Sequence, residues 1–85
     1  MNDLERQQIE HELHEQQTAL ENYENALLLE EIARVDVLMK LEKYPQETEM
    51  LRDALQNYDQ LIKNYQIRQT ETEKRIVVLK WLLEE

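Results

Sequence analysis

Two histidines stand close together in an acidic stretch, and they are the first place to look for chemistry. Glu10–His14 and His11–Glu15 are both i,i+4 pairs, so each pair can share one face of a helix. A zinc-protease site needs the spacing H-E-x-x-H, and His11-Glu12-Leu13-His14 is one residue short of it. The Glu-x-x-His pair of di-iron bundles is also missing, because the residues three before His11 and His14 are Gln8 and His11. The histidines therefore read as solvated side chains, and neither a metal nor a cofactor is expected.

Other chemistries lack their materials. The chain has no Ser, Cys or Gly. Serine and cysteine nucleophiles, disulfides and thiolate metal sites are excluded. Gly-rich phosphate or dinucleotide loops are excluded too. Carboxylates are abundant, but none is paired in a recognisable pocket. The expectation is a protein without enzymatic activity.

What positions these side chains is helix. Eighty-five residues, with one Pro and many Glu, Gln, Leu and Lys, make helix-forming composition for a single domain. From Leu51 to Leu83 the spacing alternates four and three: Leu51, Leu55, Tyr58, Ile62, Tyr65, Gln69, Thr72, Ile76, Leu79, Leu83. Eight of these ten positions are apolar. A 3.5-residue repeat of this length predicts a helix lying along another helix.

The first half carries a similar stripe, Ile9, Leu13, Gln16, Leu20, Tyr23, Leu27. It is read as drifting by one position to Leu28, Ile32, Val35 and Met39, as a straight helix would. Asp3 is the expected N-cap. Glu30–Arg34, Asp36–Lys40, Asp59–Lys63 and Glu71–Arg75 add favourable acid-then-base pairs at i,i+4. Pro45 is the one strong breaker, and it predicts a reversal near Lys43–Gln46, the alternative being one long helix kinked at Pro45 in a parallel coiled coil. The expected fold is all-α: helix 1 about 3–43, a turn about 44–46 and helix 2 about 46–83. The two form a long antiparallel hairpin, with facing residue numbers summing to about 90. Val35 would then face Leu55, Leu28 would face Ile62, and Gln16 would fall near Thr72.

Two regions are more apolar than one seam requires. Leu29, Ala33 and Val37 form a second face on helix 1. Val77, Val78, Trp81 and Leu82 widen the end of helix 2. A helix with two apolar faces must bury both. The expectation is a homodimer, two hairpins making a four-helix bundle, together with binding of another protein as an adaptor, small chaperone or scaffold subunit. Trp81 is the natural anchor, since Trp is enriched among binding hot spots.

The net charge of −9 is uneven. Residues 1–25 carry seven acids against Arg6 alone. This disfavours direct nucleic-acid binding, which depends on neutralising phosphates. It leaves an alternative function: an acidic inhibitor or nucleic-acid mimic, of the phage-antagonist type, using Glu10, Glu12 and Glu15. The longest apolar runs are four residues, against about 20 for a membrane span. Residues 1–25 lack the basic and apolar regions of a signal peptide. A cytoplasmic location without membrane contact is expected.

The run Leu55–Gln66 resembles part of the second helix of the small sporulation aspartyl-phosphate phosphatases, which are also helical hairpins. Of that family's Ser-Gln-Glu-Leu-Asp stretch, Gln56 and Asp59 match here, so the activity is not carried over. The Pro45 reversal followed by an amphipathic helix is similar in layout to the hairpin co-chaperones of type III secretion needle subunits.

Overall fold

The computed structural model describes residues 1–84. They form a helical hairpin: α1, Asp3–Lys43, a short 3₁₀ turn, Pro45–Glu47, and α2, Thr48–Glu84. No strand occurs among the described residues. The molecule measures 65 × 14 × 14 Å, and its radius of gyration is 19.1 Å. A compact domain of this length would have about 12 Å.

The ends of α1 follow from local chemistry. The N-cap is Asn2 and not Asp3: Asn2 Oδ1 accepts from the Glu5 amide at 2.8 Å, and Asn2 Nδ2 donates back to Glu5 at 3.2 Å. Asn2 has the extended backbone a cap requires, which leaves Asp3 inside the first turn, where its charge suits the positive helix end. At the other end the Tyr44 amide donates to Lys40 O at 2.8 Å. Lys40 and Lys43 supply positive charge to that last turn.

The reversal is built without glycine and without any residue of positive φ. Tyr44 stands at φ −127° and ψ 74°, outside the helical region, as the residue before a proline prefers. Pro45 then opens the 3₁₀ turn, where its missing amide is no loss. The Glu47 amide donates to Tyr44 O at 3.1 Å, and the Thr48 hydroxyl donates to Pro45 O. These bonds carry the chain from one helix into the next.

Along α2 the seam falls where the spacing predicts. All ten positions from Leu51 to Leu83 are buried or half-buried, with Leu51, Thr72 and Ile76 the deepest. Along α1 the reading needs correction. The seam does not drift: after Leu27 it continues through Glu30, Arg34, Val37 and Leu41, still spaced by three and four. Leu27 and Val37 are buried, while Leu28, Ile32, Val35 and Met39 are exposed. Val35 therefore does not face Leu55, and Leu28 does not face Ile62.

Glu30 and Arg34 hold seam positions because long charged side chains can lay their stems over apolar surface and send their heads to water. Arg34 Nε reaches across to Asp59 Oδ1, an ion pair that joins the two helices. Nearer the open end, the Tyr23 and Tyr65 rings meet across the seam, with centroids 6.3 Å apart and planes tilted by 43°. Both contacts fix the antiparallel pairing at sums near 90. Thr72, the most buried residue at 5 % exposure, satisfies its hydroxyl within α2 by donating to Arg68 O at 2.8 Å. Gln16 donates to Glu12 at 2.9 Å, also within its own helix. Among the described residues, the side-chain hydrogen bonds of Thr72 and Gln16 thus stay within their own helices.

Candidate functional site

With the seam placed, the outer surfaces can be assigned. Leu28, Ile32, Val35 and Met39 repeat the four–three–four spacing on the side of α1 turned away from α2, about 150° around the helix from the seam. Their exposures run from 53 to 65 %. Leu29 and Leu38 border this stripe and are exposed as well. Five large apolar side chains more than half exposed along about 18 Å of helix exceed the scattered single residues that a surface ordinarily shows.

The residues expected to form an outer face of α1 are divided by the structure. Leu29 is exposed, Ala33 is half-buried beside the seam, and Val37 lies in the seam at 7 % exposure. Val37 is thus a packing residue, because the unbroken seam carries it toward α2. Hydropathy alone assigns Leu28, Ile32, Val35 and Met39 to the seam, whereas the fold turns them to the surface. The signal was present: continuing the alternation from Leu27 reaches Glu30, Arg34, Val37 and Leu41 and leaves the other four outside.

The second apolar surface is at the open end of α2. Val77, Val78 and Trp81 are exposed, Trp81 at 58 %, while Leu82 is half-buried. Val78 and Leu79 join Glu12, Lys74 and Arg75 around a shallow groove of ≈ 310 Å³. Apolar floor and charged rim are thereby combined at one place. In an antiparallel hairpin the outward faces of α1 and α2 point in opposite directions. Trp81 also lies at the level of about residue 9, far from Ile32, so the two apolar surfaces are separate.

The carboxylates of Glu10, Glu12 and Glu15 are all exposed. Two of them have local partners: Glu12 accepts from Gln16, and Glu15 pairs with His11 Nε2 at 3.0 Å. No group of three metal-capable side chains comes together among the described residues. Asp59, one of the two residues that match the phosphatase stretch, is engaged by Arg34. Asp36 accepts from Lys40 Nζ at 3.1 Å, and that hydrogen bond, with the accompanying charge attraction, holds the Lys40 ammonium above its usual pKa. No described helix is long and apolar enough to cross a membrane. Comparison of the chain with protein-family models, curated proteins and solved structures finds no match.

Proposed function

We propose that this hairpin is a non-enzymatic protein-interaction module that acts through its exposed apolar helix faces as an adaptor, small chaperone or scaffold subunit. The observation that carries the reading is the pair of separate apolar surfaces, Leu28–Met39 on α1 and Val77–Trp81 on α2. Neither is covered by the opposite helix. Two surfaces suit a chain that self-associates through one and engages a second protein through the other, in the cytoplasm. Two copies of the hairpin bring four helices together.

Trp81 and Val78 provide the test. Both are exposed, so Trp81→Ala and Val78→Ala leave the seam intact and helicity unchanged. Truncating a buried Trp anchor typically costs 2 kcal/mol or more of binding, about thirtyfold in affinity. The purified double variant should therefore fail to retain proteins that the wild-type chain retains from its native extract, with the affinity loss confirmed on the purified partner. Unchanged retention would refute the reading.

A second reading rests on the crowding of exposed carboxylates, with a charge of −6 in residues 1–25. In that reading the chain is an acidic antagonist of a basic protein surface. It makes a different prediction: affinity that falls steeply with salt, and a loss of at least tenfold when Glu10, Glu12 and Glu15 are changed to Gln. Titrations of the target between low and physiological salt measure both, and salt-independent binding would dismiss it.

A further inference from the structure

We propose that the α1 stripe Leu28, Ile32, Val35, Met39 is the site of a second copy of this chain, docked antiparallel about a two-fold axis between Ile32 and Val35. This rests on the interaction-module reading above and names the occupant of one of its two surfaces.

Three observations favour a second copy. First, the spacing is palindromic. Read from either end, the stripe runs four, three, four, so it superimposes on itself when reversed. An isologous two-fold contact requires a self-complementary patch of this kind. Leu28 then meets Met39 of the second copy, and Ile32 meets Val35 of the second copy. The two layers thus form without like facing like.

Second, the area matches. The hairpin exposes 6685 Å² at a mass of 10.4 kDa. A compact monomer of that mass exposes about 5,400 Å². That excess, about 1,300 Å², belongs to the extended 65 × 14 × 14 Å shape as a whole, and the measure for docking is the stripe itself, counted on both copies against about 1,000 Å² in total for a specific interface. The stripe with Leu29 supplies roughly 500 Å² of apolar area at about 100 Å² per side chain, and the stems of flanking residues extend the contact.

Third, the charges permit this arrangement and oppose others. Reversal about the axis places residue n beside residue 67 − n of the second copy. Only residues 24–43 overlap, with five acids and three bases. The more acidic residues 1–23 of the two chains project in opposite directions. A parallel pairing would instead lay them side by side. Around the stripe, helical geometry sets Glu31 beside Leu38 of the second copy and Asp36 beside Leu29 of the second copy, so no acid meets an acid between Leu28 and Met39, and Glu24 meets Glu42 of the second copy only at the two ends of the overlap.

The resulting assembly is a staggered layer with α1 against α1 in the middle and α2 on each outer edge. It has four helices but is not a square bundle. An overlap of 20 residues spans about 30 Å. Two hairpins each 65 Å long then make a particle of about 100 Å, and the Trp81 surfaces stay free on its edges.

Mass measurement and small-angle scattering of the purified chain should show a dimer with a maximum dimension of about 100 Å. Ile32→Glu should give a monomer of unchanged helicity, because Ile32 is outside the seam. Mixing the Ile32→Glu chain with a Val35→Lys chain should restore a dimer, since one layer then pairs unlike charges and the other stays apolar. A wild-type monomer at 100-micromolar-scale concentration, a dimer no longer than one hairpin, or a dimer that survives Ile32→Glu would overturn the proposal. Trp81→Ala should leave the dimer intact. Loss of dimerisation and loss of partner retention are therefore separate readouts, and failure of one does not imply failure of the other.

Discussion

Leu27→Asp unfolds this protein, whereas Leu28→Asp, one residue later, leaves it helical. The contrast follows from position alone. Leu27 is 8 % exposed in the seam and Leu28 is 58 % exposed on the outer side. At Leu27 the change removes a buried side chain worth about 2–5 kcal/mol and puts an unpaired carboxylate in its place, for several kcal/mol more. A domain of this size has a total stability on the order of 5 kcal/mol, so the sum exceeds what the fold can lose. At Leu28 the new carboxylate meets water, and the loss is within about 0.5 kcal/mol. Far-ultraviolet circular dichroism with thermal melts, at concentrations low enough to keep the chains monomeric, reads the difference. If both variants melt alike, the seam on α1 is misplaced.

Pro45→Ala converts the hairpin into a rod. Everything from Leu41 to Leu51 except Pro45 is compatible with helix, and the turn contains neither glycine nor a left-handed residue. Pro45 alone makes a continuous helix unfavourable, by about 3 kcal/mol relative to Ala. Two chains that opened and exchanged their second helices would keep every seam contact, each α1 packing on the α2 of the other chain. In that swapped dimer two prolines are relieved, so the substitution shifts the equilibrium by about 6 kcal/mol, or about 10⁴-fold. The expected product is an antiparallel pair of single helices about 120 Å long. Scattering distinguishes it from a 65 Å hairpin. Working in the Ile32→Glu background removes the α1–α1 contact from the comparison. A Pro45→Ala chain that stays monomeric at high concentration would mean that the bonds from Tyr44 to Thr48 hold the reversal by themselves.

Much of the architecture was legible in the sequence, and the place where legibility failed is instructive. The stripe on α2 could be read position by position because its apolar residues coincide with the seam. On α1 the pattern misled between Leu27 and Leu41. There the seam holds Glu30 and Arg34, and the outer face holds Leu28, Ile32, Val35 and Met39. A reading by hydropathy follows the larger side chains. The fold follows continuity with Leu27 and pairing with α2, and it accommodates Arg34 by giving its head Asp59. The hydropathy of residues 27–41 does not reveal that choice; the phase of the alternation carried on from Ile9–Leu27 does. The Trp81 surface was visible for the opposite reason: Val77, Val78 and Trp81 fall outside a seam that α2 itself defines. Asn2 was missed as a cap because Asn and Asp are nearly equal in that role, and one residue of offset decides between them.

The antiparallel register also sets the order in which the molecule can assemble. Residues that face each other near Pro45 are separated by a few positions of chain, while those at the open end are separated by more than sixty. The entropy lost in closing a loop grows with its length, so Val37 and Leu51 can meet early and cheaply in conformational terms. Each turn of helix that zips up shortens the loop left for the next pair. Contacts distant in sequence, Tyr23 with Tyr65 among them, thus form as local events once the zipper reaches them. A chain whose native contacts span nearly its whole length can accordingly fold with the speed of a protein built from neighbours.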